Sequence, residues 1–210
     1  MSKLENKKRQ KKESLFSAAF DLFTSKGFSK TSISDIVERA GMAKGTFYLY
    51  FKDKYDIQNQ LIAYKAAEVC NKAYNALEQQ HLQTYEDRIL SFTDQAIRQL
   101  QEDTNLLRFI SKNLSWGILK NAIQDEACRR EFNIEEVYQG IRDMKGYDFS
   151  NSDVMFYMIM ELVSATCYNS ILESNPVSME ELKPHLYAAI RAIIQSQLIA
   201  CEKKETDGTT

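Results

Sequence analysis

Between Lys30 and Lys54 the chain gathers side chains suited to gripping a polyanion and reading its edges. Lys30, Lys44, Lys52 and Lys54 carry ammonium groups for phosphate, and Thr31, Ser32 and Thr46 carry hydroxyl donors. Tyr48 and Tyr50 each join a ring suited to a thymine methyl with a hydroxyl suited to phosphate. Ala43 and Gly45 flank Lys44 with minimal side chains, so the backbone can approach a duplex while Lys44 and Thr46 reach base edges. An exposed tyrosine taken singly means little; two of them beside a lysine-glycine turn and trailing lysines predict contact with double-stranded DNA. Thr31 and Ser32 also precede a helix. The free N–H groups and positive dipole end there predict a phosphate-sized donor site, with one hydroxyl serving as cap and the other left for phosphate.

These side chains need a frame, and the same stretch spells one out. Ser32 and Asp35 form a capping box ahead of an apolar stripe at Ile33, Ile36, Val37 and Ala40, which predicts a two-turn amphipathic helix. Gly41 follows the stripe and can take the left-handed conformation that ends a helix. A second short helix is predicted from about Ala43, with Phe47 and Phe51 turned inward at i, i+4. Helix, tight glycine turn and helix with a polar, aromatic outer face describe a helix-turn-helix whose second helix enters the major groove. Upstream, Phe16, Ala19, Phe20 and Phe23 mark the buried face of a first helix from about Lys8 to Lys26, closed by Gly27. Downstream, Asp53 is placed to cap a long helix running to about Gln79, roughly 40 Å at 1.5 Å per residue, long enough to act as a lever.

The run TSISDIVERAGMAKGTFYLYFKDK, Thr31 to Lys54, resembles the DNA-binding signature of the TetR family of bacterial transcriptional regulators, most specifically in Lys44 to Lys54. The resemblance covers about the first quarter of the chain. It implies an all-α protein with a helix-turn-helix domain at residues 8–54, extending into the long helix to about 70, and a helical effector-binding and dimerisation domain at 55–203. It also implies a homodimer on a near-palindromic operator, and a small-molecule effector held among core aromatics.

Composition agrees with a DNA reader on a separate body. Seven glycines and two prolines in 210 residues favour long helices over a turn-rich sheet protein. Residues 1–54 carry 12 Lys/Arg against 6 Asp/Glu, while the remainder carries 15 against 23, so a basic head sits on an acidic body. Residues 1–12 alone hold six of these cations, a basic tail able to reach phosphates. Cys70, Cys128, Cys167 and Cys201 lie dozens of residues apart and form no C-x-x-C pair, and the two histidines are His81 and His185. That spacing suits packed thiols in a reducing compartment and no metal or cofactor. With no phosphate loop, ligand cluster or nucleophile motif, the chain reads as no enzyme. Met1 to Glu13 is too polar for a signal peptide, and the longest apolar run, Val154 to Met160, is too short to span a bilayer, so a soluble cytoplasmic protein is expected.

From Thr84 the pattern predicts helices at about 84–102, 104–120 with a break near Trp116-Gly117, and 122–144, then a linker at Lys145 to Asp153. Phe92, Phe109, Trp116, Phe132 and Tyr138 are candidates for an effector pocket; aromatics at helical spacing also serve as ordinary core. Val154 to Ser170 is apolar nearly all round, and Leu182, Leu186, Ala189, Ile190 and Ile193 stripe a last helix that Pro184 either opens or kinks. Two such helices expose more apolar surface than one chain can cover, which argues for a four-helix dimer interface. Glu161 stands alone in the apolar run, placed to meet a cationic effector or to pair with Arg191 at the dimer seam. A tightly filled core would instead favour a DNA-binding regulator whose body is a protein-interaction module with no small ligand.

Overall fold

In a computed structural model the structure describes residues 3–111, 113–142 and 146–199, with the side chain of Ala127 left aside. Lys145 of the expected linker, Cys201 and the polar tail from Lys203 lie outside the described residues. The described chain is all-α, with eleven helices in the order α1 (Lys3–Ser25), α2 (Ile33–Arg39), α3 (Lys44–Phe47), α4 (Lys54–Glu78), α5 (Tyr85–Glu102), α6 (Thr104–Ser111), α7 (Trp116–Gln124), α8 (Glu126–Phe132), α9 (Ile134–Arg142), α10 (Ser152–Glu173) and α11 (Met179–Gln197). They fall into two compact units, one drawn from Met1–Val69 and Gln99–Ile134, the other from Cys70–Arg98 and Glu135–Thr210.

In the first unit the helix stops are the ones the residues require. Gly27 and Gly41 hold φ of +86° and +66°, where a side chain would be strained. At Gly41 the stop is a full Schellman motif: Met42 N donates to Val37 O (2.8 Å) and Gly41 N to Glu38 O (3.0 Å), which satisfies carbonyls that α2 leaves open. Asp53 Oδ1 accepts from Tyr55 N and Asp56 N, both at 2.8 Å, and so caps α4. The interior is aromatic. Phe16, Phe47 and Phe51 are buried with ring centroids 5.4–5.5 Å apart from Phe51, and Phe20 and Phe23 of α1 pack against Phe109 of α6.

The region from 104 to 142 departs from the expected pattern. The chain breaks between Ser111 and Trp116, where Ser115 caps α7, and the single helix expected over 122–144 is three pieces. Asp125 in extended conformation separates α7 from α8, and Asn133 at φ +49° separates α8 from α9. Asparagine is among the few residues that tolerate this left-handed position.

In the second unit the expected linker is a packed loop. Tyr147 and Phe149 stack on the fully buried Tyr85 of α5 (5.5 and 4.6 Å), and Phe149 bridges to Leu198. Helices α10 and α11 pack against each other. Asn151 caps the first, and a complete Ser178–Glu181 box caps the second. Pro184 lies inside α11 and does not open it. The seven-residue apolar run sits within α10, whose 22 residues are long and apolar enough to cross a membrane by length and composition.

Candidate nucleic-acid interface

Helix α2 is tied down before the reading residues begin. Ser32 Oγ accepts from Asp35 N (3.1 Å), and Asp35 Oδ2 accepts from Ser32 N (2.7 Å), completing the box. Asp35 also pairs with Lys26 (2.7 Å), and Arg39 at the other end pairs with Asp21 (2.7 Å), so one end of α2 is fastened to the turn that follows α1 and the other to α1 itself. The hydrogen bond from Lys26, followed by those from Ser32, holds the Asp35 carboxyl down at about 2. These pairs are largely solvent-exposed and set orientation more than stability.

After the Gly41 turn, Ala43 is the exposed N-cap of α3, a helix of four residues carried by buried Phe47. Lys44, Gly45 and Lys52 are exposed, Tyr48 is 53% exposed, and Thr46 and Tyr50 are half-buried. A side chain added at Gly45 would meet nothing within 4 Å, and its φ is not in the left-handed region. Nothing inside the molecule therefore demands glycine there. Leu49 is 76% exposed beside Tyr48, a surface apolar residue absent from the expected contact set; its position between two outward tyrosines was the available signal.

Two expected contacts are corrected. Thr31 is 2% exposed, and its Oγ1 donates inward to Gly27 O (2.9 Å), so it is a loop clamp and not a phosphate donor. Of the two hydroxyls before α2 only that of exposed Ser32 can meet phosphate. Lys54 is likewise turned inward: Nζ donates to Phe28 O and Thr31 O, both at 2.9 Å, and stands 4.2 Å from the Phe28 ring centroid. It latches the loop that leads into α2. Lys30 is exposed.

The six expected effector residues are divided between the two units. Phe109, Trp116 and Phe132 belong to the first, and Phe92, Tyr138 and Glu161 to the second. Phe109 is 5% exposed and is core against Phe20 and Phe23. Phe132 packs edge-on to Tyr64 (4.8 Å), whose hydroxyl donates to Glu131 (2.5 Å). Tyr138 donates to Asp153 and packs on Phe156; burial, reinforced by that carboxylate, pushes its hydroxyl up to about 12. Phe92 and Trp116 are half-buried. Glu161 is exposed on α10 and faces no interior site within its unit. A cleft of about 280 Å³ in the first unit is lined by Lys12, Phe16, Asp56, Asn59, Gln60, Ala63, Tyr64, Ile118, Asn121, Asp125 and Cys128, a set with none of the six in it. Among the described residues no three His, Cys, Asp or Glu side chains group as metal ligands.

Comparison with known proteins separates head from body. Residues 15–61 match the family described as bacterial regulatory proteins, tetR family. An uncharacterized HTH-type transcriptional regulator, YvdT, of Bacillus subtilis is 54% identical over 44 residues, 21% of this chain and 23% of that protein. The fatty acid metabolism regulator protein of the same organism is 38% identical over 61 residues, 29% of this chain and 31% of that one. The matched stretches thus span less than a third of these relatives' own length. Among solved structures, a TetR-family transcriptional regulator from Streptomyces coelicolor aligns over 90% of this chain and 98% of its own, with TM-score 0.64 at 13% identity. A transcriptional regulator FadR from Bacillus subtilis, solved in complex with stearoyl-CoA, aligns over 85% and 96%, with TM-score 0.55 at 19% identity. Sequence likeness is concentrated in the head, where residues 15–61 match the tetR family of bacterial regulatory proteins, and across most of the chain the likeness to solved TetR-family structures is one of fold.

Proposed function

We propose that the chain is a cytoplasmic, homodimeric transcriptional repressor that binds a near-palindromic operator and is released from it by a small-molecule effector. Residues 8–54 read DNA and residues 55–203 bind the effector and dimerise. The observation that supports this most directly is the outer face of Ala43–Lys52. Lys44 and Gly45 are exposed on a short helix fixed from beneath, Tyr48 and Lys52 are exposed just after it, and open space surrounds the glycine. Such a face suits a major groove, where Lys44 and Thr46 meet base edges while Tyr48, Lys52, Lys30 and Ser32 hold phosphates.

Dimerisation is supported by the outer stripe of α10, where Val154 and Tyr157 are 42% and 44% exposed and Glu161 and Ala165 continue the same face. Exposed Ala188, Arg191 and Ala192 offer a matching strip on α11. Small residues let helices approach, and Glu161 of one protomer pairs with Arg191 of the other in this arrangement. The FadR structure from Bacillus subtilis contains stearoyl-CoA, so an acyl thioester is the first effector to test. A second reading keeps DNA binding and makes the body a protein-interaction module. The burial of Phe109 as core favours it.

The test selects duplexes from a random pool and measures binding of variants to the selected sequence. Lys44→Ala and Tyr48→Ala each cost about 1–3 kcal/mol in specific binding with the dimer intact. Wild-type binding by both variants sinks the assigned face, and ligand-free protein that no candidate molecule displaces from DNA favours the second reading.

A further inference from the structure

We propose that Leu49 is a specificity-determining residue of the DNA-reading face, closing on the C5-methyl group of a thymine in each operator half-site. This deepens the DNA-binding function proposed above and rests on it.

The geometry starts with the turn that carries Leu49. Helical hydrogen bonding continues past α3: Leu49 N donates to Thr46 O (3.3 Å), and Tyr50 N and Phe51 N both donate to Phe47 O (3.0 Å). Tyr48 keeps right-handed helical dihedrals. Phe47 and Phe51, four residues apart, are buried on the inner side. Gly45 and Leu49 are also four residues apart, and each lies two residues from Phe47, about 200° around at 3.6 residues per turn. They therefore form the ridge turned furthest from the interior. Space around Gly45 is open, and Leu49 is 76% exposed.

The neighbouring aromatics do not share that ridge. The Tyr48 ring stands edge-on to buried Phe47 with centroids 5.5 Å apart, and half-buried Tyr50 leans toward Phe51 at 6.3 Å. Both tyrosines rest on the core, while the Leu49 side chain projects from it. A partner close enough to use the open space at Gly45 also covers Leu49, one turn along the same side, and the apolar side chain gains by being covered.

The surroundings choose the partner. Met42–Lys52 carries two lysines, both exposed, and no carboxylate, so the ridge is framed for a polyanion. Within a major groove, three of the four bases present only polar donors and acceptors, and thymine adds a methyl group. An isobutyl side chain therefore finds an apolar partner only at an A·T pair. Any pair that sets a cytosine amino group against Leu49 leaves that donor without an acceptor.

The full chain selects duplexes from a random pool, and in the selected duplex each thymine is replaced in turn by uracil, which keeps the base pair and removes only the methyl. Fluorescence anisotropy then measures affinity. At one position in each half-site uracil weakens wild-type binding about fourfold, the size expected for burying one methyl group. Leu49→Ala binds the thymine and uracil duplexes equally at that position, and Leu49→Met keeps the difference. Tyr48→Ala weakens both duplexes by the same factor. Three results overturn the assignment while leaving DNA recognition standing: no position sensitive to uracil, a sensitivity that survives in Leu49→Ala, or a sensitivity lost in Tyr48→Ala, which gives the methyl to that ring. If no duplex is selected over random competitor, the DNA-binding function itself fails and the role of Leu49 falls with it.

Discussion

Replacing Lys54 by methionine separates two roles that a lysine at the edge of a DNA-binding head can play. Its ammonium donates to Phe28 O and Thr31 O at 2.9 Å each and lies over the Phe28 ring, while methionine keeps most of the stem and removes the charge. Hydrogen bonds from a charged donor are worth about 1.5–3 kcal/mol each, and a partly exposed cation–ring contact about 0.5–1 kcal/mol. Lys54 is only half-buried, so water recovers part of what is lost, and the net cost to folding is about 2–3 kcal/mol. The assay is paired: urea denaturation for stability, and fluorescence anisotropy on a selected duplex at several salt concentrations for phosphate contacts. A lysine on phosphate contributes about 0.9 to the slope of log K against log salt. Lys54→Met lowers the urea midpoint and leaves that slope unchanged, whereas Lys52→Ala, at an exposed site, lowers the slope by about 1 and barely moves the midpoint. An unchanged midpoint with a reduced slope for Lys54→Met would falsify the latch and return Lys54 to the DNA.

Thr31→Val removes the hydroxyl that donates to Gly27 O, which costs about 1 kcal/mol in urea denaturation and leaves the salt slope as it was; a changed slope places Thr31 on phosphate after all. Gly45→Ala has room for its methyl and improves helix propensity, so stability rises by about 0.5–1 kcal/mol while specific DNA affinity falls about tenfold. Affinity equal to wild type in that variant shows that no duplex comes close to Gly45. Asp35, held down at about 2 by Lys26 and Ser32, has a folded pKa below its ordinary value near 3.8. Its contribution is therefore complete above about pH 4 and is lost as pH falls toward 2. The stability gap between wild type and Asp35→Asn should close over that interval, and a gap constant from pH 5 to pH 2 removes the electrostatic account.

What the sequence made legible in the head was local. A serine three residues before an aspartate, or a glycine just past an apolar stripe, settles a helix end through neighbouring backbone groups, and the Ser32–Asp35 box and the Gly41 motif formed as expected. The fate of Thr31 and Lys54 was not local: 23 residues separate them, and nothing in their types says that one carbonyl oxygen waits for the other's ammonium. The same reason hid the middle of the chain. Asn133 at φ +49° ends a helix that composition alone would continue, because asparagine only tolerates the left-handed position and does not demand it. Phe109 and Tyr138 have similar helical settings in sequence, yet one becomes core against Phe20 and Phe23 and the other a hydrogen-bond donor to Asp153, a choice made by partners far along the chain.

The two corrected contacts strengthen the case for a DNA-reading face. A helix of four residues has no stability of its own, since nucleating the first turn costs more than its few hydrogen bonds return. Something outside α3 must therefore hold it, and the structure supplies buried Phe47 and Phe51 beneath it, the inward Thr31 hydroxyl, the Lys54 latch and ion pairs at both ends of α2. Once those groups are committed to support, the residues left over on the outer face are Lys44, Gly45, Tyr48, Leu49 and Lys52, exposed at the surface of the unit. A chain that spends so many side chains to fix one turn of helix, and then covers that turn with a lysine, a glycine and a half-exposed tyrosine, has a surface whose use lies in another molecule. The basic balance of residues 1–54 suits the polyanion of the function proposed above.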